Sequence, residues 1–263
     1  VAEWLRQHGA FTVILTGLVA ALIYGLVRKH DVKSYDAVFL LSFVFAVVLH
    51  EVSHGVMALW CGDTTAKDAK RLTLNPIRHV DLFGSIILPV ILVITTGTPF
   101  GWAKPVPVNL ANLRHPRNQA VYVGLIGPVT NIVLSIAAGL LYHLFYVPVT
   151  IVVPSTATSI DVTSYLPLGA QILMTFGLIN LILAVFNLFP IPPLDGSALL
   201  ERLLPKSWLA QYYRMRMGFL IVVLLFVFVF QHPLDSIFNW FETQWLNAVG
   251  ANGDHAVNVV ITR

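Results

Sequence analysis

Apolar residues fill long uninterrupted runs of this chain, separated by short polar stretches. A helix that crosses a bilayer needs about 20 consecutive apolar residues. Four runs meet that length with ease: Tyr35–Trp60, Gln119–Tyr146, Leu166–Phe189 and Trp208–Gln231. Ala10–Val27 is shorter but sufficient. Arg28 and Lys29 follow it without a cleavage site, so it reads as a retained anchor rather than a signal peptide. Phe83–Thr98 is the weakest run, about 24 Å long if helical. It carries Pro89 in its middle and is flanked by Gly84 and Gly97. Lys104-Pro105-Val106-Pro107-Val108 cannot be helix and reads as extended. Near the end, Leu234, Ile237, Phe238, Phe241, Trp245 and Val249 share one helical face, and Asp235, Asn239, Glu242 and Thr243 share the other. That pattern predicts an interfacial amphipathic helix, or equally a helix packed on the bundle.

Composition agrees with the pattern. The 263 residues are 57% hydrophobic and 11% charged, where a soluble domain carries about 25% charged residues. The predicted class is an all-α polytopic membrane protein of about five transmembrane helices plus a re-entrant segment. Residues 1–231 read as a single transmembrane domain with its core at about 35–200, and 232–263 as an amphipathic helix and tail. The formal charge of +3 is modest, and the basic residues lie in loops, so nucleic acid is not called for as a partner. Cys61 is the one cysteine, which excludes an intrachain disulfide framework.

Loop charge sets the topology. If all six runs cross, the 16 Lys and Arg divide 10 inside and 6 outside. If Phe83–Thr98 dips in and returns, only Arg28, Lys29, Lys33 and Arg263 fall outside, and the other 12 lie in the cytoplasm. The positive-inside rule prefers the second arrangement. Re-entrant backbone survives at membrane depth only when it is buried in protein or lines a wet cavity.

The chemistry sits inside the second run. His50-Glu51-Val52-Ser53-His54 is an HExxH pattern on a helix. Its imidazoles are about 6 Å apart along the axis and about 40° apart in rotation, so both can grip one Zn²⁺. Glu51 beside them is the natural general base for the attacking water. Ionisable groups at membrane depth cost about 2.5–3.5 kcal/mol each, which argues for function over packing. A catalytic zinc takes a third protein ligand, and the candidates are Asp195, Asp81, His79 and His143. Asp195 follows Pro190, Pro192 and Pro193 and precedes Gly196. A broken helix end presenting a carboxylate suits a ligand best. His79 and Asp81 read as loop-fixing, His143 as interfacial, and Asn180 and Gln171 as interhelical glue. Cys61 reads as a thiol at a helix end.

These motifs resemble the site-2 protease family of intramembrane zinc metalloproteases. The likeness rests on His50–His54, on Leu194-Asp195-Gly196 after Asn187-Leu188-Phe189-Pro190, on Gly127-Pro128-Val129-Thr130-Asn131, and on Gly101–Val108. It covers about Tyr35 to Gly196. The resemblance implies His50, His54 and Asp195 as zinc ligands and Glu51 as catalytic base. It also implies cleavage of transmembrane protein substrates within the bilayer, nearer the cytoplasm, in a prokaryotic cell membrane. An upstream site-1 protease would act on the same substrate. Asn131 is expected to hold substrate backbone or the oxyanion, with Asn187 in a similar role. Val147–Tyr165 is too short for the PDZ domain some relatives insert, and no nucleotide-sensing domain is expected. Substrate choice would then fall to a strand-like hairpin around Leu72–Asn75 and Val106–Asn109, whose edge could pair with an unwound substrate.

The rival reading from another class is a zinc transporter. In such transporters a helix-bending Pro and a further Glu complete the motif, whereas Ser53 and Gly55 stand at those places here. An inactive relative that binds membrane segments is a second rival, disfavoured by the full His-Glu-His-Asp set.

Overall fold

The computed structural model describes residues 34–89, 91, 101–145, 149–154, 166–205, 207–215, 218–219, 231–249 and 257–262. The anchor expected at Ala10–Val27 lies outside them, as do much of Trp208–Gln231 and most of the second half of Phe83–Thr98. The described protein is mostly helical, in the order α1 (Ser34–Trp60), α2 (Thr65–Asp68), α3 (Pro116–Phe145), α4 (Leu168–Asn187), α5 (Ser197–Leu203) and α6 (Gln231–Val249). Among the described residues, three helices are long and apolar enough to cross a membrane: Val38–Trp60 of α1, α3 and α4. Two short strands depart from the all-α expectation. β1 (Val149–Pro154) and β2 (Val257–Thr262) pair in parallel, Val149 opposite Val257. Both runs are rich in β-branched residues, which fit a pleated surface.

Contacts fix the helix directions. His54 on α1 bonds Val123 on α3, and His50 bonds Asn131. Moving forward along α1 is moving backward along α3, so the two are antiparallel. Asn131 meets Asn180 on α4, while Tyr142 packs with Ala170 and Leu166. So α3 and α4 are antiparallel too, and α1 and α4 run the same way. The end of α1 and the start of α3 are joined directly, the Arg114 N–H donating to the Cys61 carbonyl at 3.0 Å.

Polar and small residues occupy the inner stripe of α3. Val123, Gly127, Asn131, Ser135, Ala138, Gly139 and Tyr142 are buried, and their spacing of three and four puts them on one face. The C-terminal amphipathic helix forms as predicted and packs on the bundle. Trp245 of α6 lies against Gly139 and Gly177, and a Cβ at either glycine would overlap the indole or Val249. Absent side chains at two glycines let a third helix seat its largest residue, the close approach that small residues allow in membranes.

His79–Lys104 belongs to a separate compact unit from Val38–Arg78 with Pro105–Arg263. It begins with a π-helical turn, Leu82–Ile87, whose Gly84 N–H is capped by the Asp81 carboxylate at 2.7 Å. Trp102 returns to this turn: its N–H donates to the Gly84 carbonyl at 3.0 Å, and its carbonyl accepts from Ser85 Oγ at 2.8 Å. A Cβ on Gly84 would overlap the Trp102 indole, so glycine is required there.

Candidate metal centre

Helix α1 delivers the two imidazoles one turn apart. Gly55, next after His54, permits Leu72 and Val106 to pack beside the motif, since a Cβ there would lie 2.5 Å from Leu72 Cδ2 and 2.8 Å from Val106 Cγ1. The carboxylate arrives from beyond α4. That helix ends at Asn187, and the following prolines, with a cis bond between Pro192 and Pro193, turn the chain back. The turn closes through the Gly196 N–H, which donates to the Asn187 carbonyl at 2.7 Å. A Cβ at 196 would overlap the Leu188 carbonyl. Gly124 of α3 makes room for this loop, a Cβ there falling 2.5 Å from Ala198 Cβ.

His50, His54 and Asp195 thereby converge, their donor atoms all within 4.8 Å of one another. The edges of the donor triangle are 3.1 Å between the two Nε2 atoms, 2.9 Å from His50 Nε2 to Asp195 Oδ2 and 3.4 Å from His54 Nε2 to the same oxygen. A tetrahedral zinc with ligands at about 2.0–2.1 Å sets donors about 3.3–3.4 Å apart.

The hydrogen bonds behind the rings test the fit further. His54 Nδ1 faces the Val123 carbonyl, which can only accept, so that nitrogen carries the proton. His50 Nδ1 faces Asn131 Oδ1 in the same sense. Both Nε2 atoms then present lone pairs to each other and to Asp195 Oδ2, a buried oxygen with no hydrogen-bond partner. Three lone-pair donors gathered without a proton between them suit a dication. The residues fit zinc in number, type and spacing.

Glu51 lies beside this group. Its Oε2 accepts the Val106 N–H at 2.8 Å. Leu72 and Val106 both pack over Gly55, and Arg71 donates to the Pro105 carbonyl at 3.3 Å. Among the described residues the Leu72–Asn75 and Val106–Asn109 stretches form no ladder. Pro105 and Pro107 remove the donors a ladder would need.

Asp63, unremarked in the sequence, anchors the same stretch. It is fully buried and accepts from the Asn109 N–H at 2.7 Å, the Asn112 amide at 3.0 Å, and both the N–H and hydroxyl of Thr65. Burial pushes its carboxyl up, but the hydrogen bonds from Thr65, Asn109 and Asn112 outweigh it and hold the pKa below the usual value. The Asp-Thr-Thr run after a helix end was the available signal.

The remaining candidates stand elsewhere. His79 gives its carbonyl to the Lys104 N–H, and Asp81 caps its turn. His143 Nδ1 faces the Val249 carbonyl on α6. Asn187 donates its amide back to the Leu183 carbonyl at 3.0 Å. Asn131 is wholly buried, with its oxygen on His50 and its nitrogen on Asn180. Both amides thus bond within the chain, Asn131 to His50 and Asn180, and Asn187 to Leu183.

The chain is similar to proteins of known type. YwhC of Bacillus subtilis is 35% identical over 201 residues, 76% of this chain and 83% of the relative. Rip2 of Mycolicibacterium smegmatis is 32% identical over 199 residues, covering 74% and 69%. MJ0392 of Methanocaldococcus jannaschii is 24% identical over 191 residues, covering 73% and 41%. All three are named as zinc metalloproteases. No solved structure matches. Residues 38–230 match the profile of Peptidase family M50, the site-2 protease family, so the donor set built by α1 and the loop after α4 lies within the matched region and the chain belongs to that family of zinc metalloproteases.

Proposed function

We propose that this protein is an intramembrane zinc endopeptidase that hydrolyses peptide bonds within or near transmembrane segments of protein substrates. The observation that carries this reading is the convergence of His50 and His54, on a helix apolar enough to cross a bilayer, with Asp195 just beyond the end of a second such helix. His50 Nε2, His54 Nε2 and Asp195 Oδ2 are the metal ligands. Zinc, when bound, supplies Lewis acidity to the scissile carbonyl and lowers the pKa of water. Glu51 acts as base. Val106 holds Oε2, which orients the carboxylate and leaves Oε1 to take the proton from water and pass it to the departing amine.

The site lies near the ends of α1 and α4 that face the same way. Lys67, Lys70 and Arg71 follow the end of α1, and Arg114 and Arg117 flank the start of α3, which supports a cytoplasmic orientation of that side. The bond between Arg114 and Cys61 brings the start of α3 back to the end of α1, which supports an even number of crossings between them. Residues 62–113 contain one apolar run of spanning length, and the parity supports a re-entrant path for it. The Trp102–Gly84 bond, which joins the two ends of that run, supports the same path. Together with the runs Ala10–Val27 and Trp208–Gln231, this supports a five-crossing topology. Substrate would pair along Val106–Asn109 once its helix unwinds, and an upstream site-1 protease would shorten it first. On α6, the exposed Trp240 and Ile237 suit the membrane interface while Trp245 holds the helix to the bundle.

Glu51→Gln is the test. The amide keeps an acceptor for Val106 but cannot take a proton. The variant should bind zinc as the native chain does and fail to cleave a transmembrane reporter. Retained cleavage would remove Glu51 from its role. Zinc flux into proteoliposomes would favour the transporter instead.

A further inference from the structure

Every polar link behind His50 runs in one direction. The Phe176 carbonyl accepts from Asn180 Nδ2 at 2.8 Å. A carbonyl has no proton to give, so Asn180 must turn its nitrogen toward it. Asn180 Oδ1 is left facing α3, where it accepts from Asn131 Nδ2 at 2.8 Å. That contact commits Asn131 Oδ1 to His50 Nδ1, which must then carry the proton. His50 is left with a bare Nε2 aimed at Asp195 and His54.

His54 needs no such chain, because it meets a backbone carbonyl directly. His50 meets an amide, which can rotate by half a turn and offer N–H instead of oxygen. An Asn131 turned that way would make His50 Nδ1 an acceptor and put the proton on Nε2, where it excludes a metal. Asn131 and Asn180 are both wholly buried, so water cannot stand in for either partner. Leaving a buried polar group unmatched costs about 1–3 kcal/mol.

We propose that Asn131 and Asn180 form a relay that sets the metal-binding tautomer of His50, with the Phe176 carbonyl as its fixed end. Both are positioning residues. The inference rests on the assignment of His50 as a zinc ligand, and it gives Asn180 a specific task beyond joining two helices. Carboxylate or carbonyl partners behind metal-binding histidines are a general device, and their loss weakens metal affinity by about 10–100-fold. The relay delivers the same result through two amides, neither of which has a fixed sense on its own.

A double-mutant cycle tests it on the full chain in detergent micelles, with zinc affinity measured by chelator competition. Asn180→Leu removes the acceptor that orients Asn131 and should weaken zinc about 10–100-fold. Asn131→Asp offers His50 an acceptor whichever way it rotates, so the relay becomes unnecessary. Asn131→Asp combined with Asn180→Leu should bind at least as tightly as Asn131→Asp alone, because Asn180→Leu also removes the oxygen that would face the new carboxylate. Nitrogen-15 NMR of metal-free protein labelled at histidine gives a second readout. The His50 signal, identified by its loss in His50→Gln, should show a protonated Nδ1 in the native chain and in both Asn131→Asp proteins. It should show a protonated Nε2 in a substantial population of Asn180→Leu. Equal losses from Asn180→Leu in both backgrounds, with an unchanged tautomer, would overturn the relay and leave Asn180 a packing residue. Native zinc affinity in His50→Ala would overturn the ligand assignment itself, and the relay with it.

Discussion

Gly127 is the position where one added methyl group should undo the metal centre. A Cβ there would lie 2.6 Å from His50 Cε1 and 2.7 Å from His50 Nε2, and closer still to His54 Nε2. Ordinary contacts begin at about 3.5 Å, so the rings or α3 must yield by roughly 1 Å. Metal–ligand distances hold within about 0.2 Å, and the displacement is several times that tolerance. Forcing extra volume into a packed site costs about 1–3 kcal/mol. Spent entirely on the donor triangle, that is roughly a 5- to 150-fold loss in zinc affinity. Helix propensity acts in the opposite sense, since Ala is favoured over Gly by about 1 kcal/mol, so α3 itself should not unfold. The assay is chelator competition on purified Gly127→Ala, with helicity followed by circular dichroism. Gly218→Ala serves as control, because none of the described residues lies within 4 Å of its Cβ position. A folded Gly127→Ala with native zinc affinity would refute the close packing of α3 on the two imidazoles.

Asp63→Asn should destabilise the chain by about 1.5–3 kcal/mol, because the buried carboxylate accepts every donor turned on it. The folded pKa of Asp63 is depressed, so its contribution is present above the unfolded value of about 3.9 and fades as pH falls through the folded one. Melting curves of native and variant protein should converge only in that acidic window, and a gap independent of pH would count against it. Trp245→Ala should release α6, at a cost of about 3–5 kcal/mol to its docking, exposing Gln231–Val249 to limited proteolysis while zinc binding persists. Single cysteines at Thr73 and Asn109 should label from one side of the membrane, and labelling from opposite sides would sink the re-entrant topology.

The apolar runs gave away α1, α3 and α4, because a helix in lipid must announce itself by length. His50, Glu51 and His54 were equally legible, since i to i+4 spacing is a local property. Asp195 needed the proline-broken helix end as a cue, and its meeting with the histidines needed helix direction, which contacts such as His54 with Val123 settle. Less visible was the use made of Asn131 and Asn180. An asparagine in an apolar helix signals a buried partner but not which one, and its partner here lies 81 residues away in sequence. The small residues of α3 were legible only as a loosened helix. Gly127 and Gly139 owe their identity to an imidazole pair and an indole that arrive from other helices.

The stretch from Pro105 to Asn109 shows how a proline pattern reaches the chemistry. Two prolines deny it a full set of donors, so it runs extended without joining a sheet. Its Val106 and Asn109 N–H groups go to carboxylates instead, one on α1 and one just beyond its end. The Asp63 contact is the stronger anchor, since that side chain is itself held from three directions. Val106 lies three residues earlier on the same stretch, and its N–H reaches Glu51. A substrate strand that pairs along this stretch would load the same backbone that orients the base. Recognition and proton transfer would then share a single hydrogen bond of 2.8 Å. A substrate that pairs poorly would lose turnover as well as affinity.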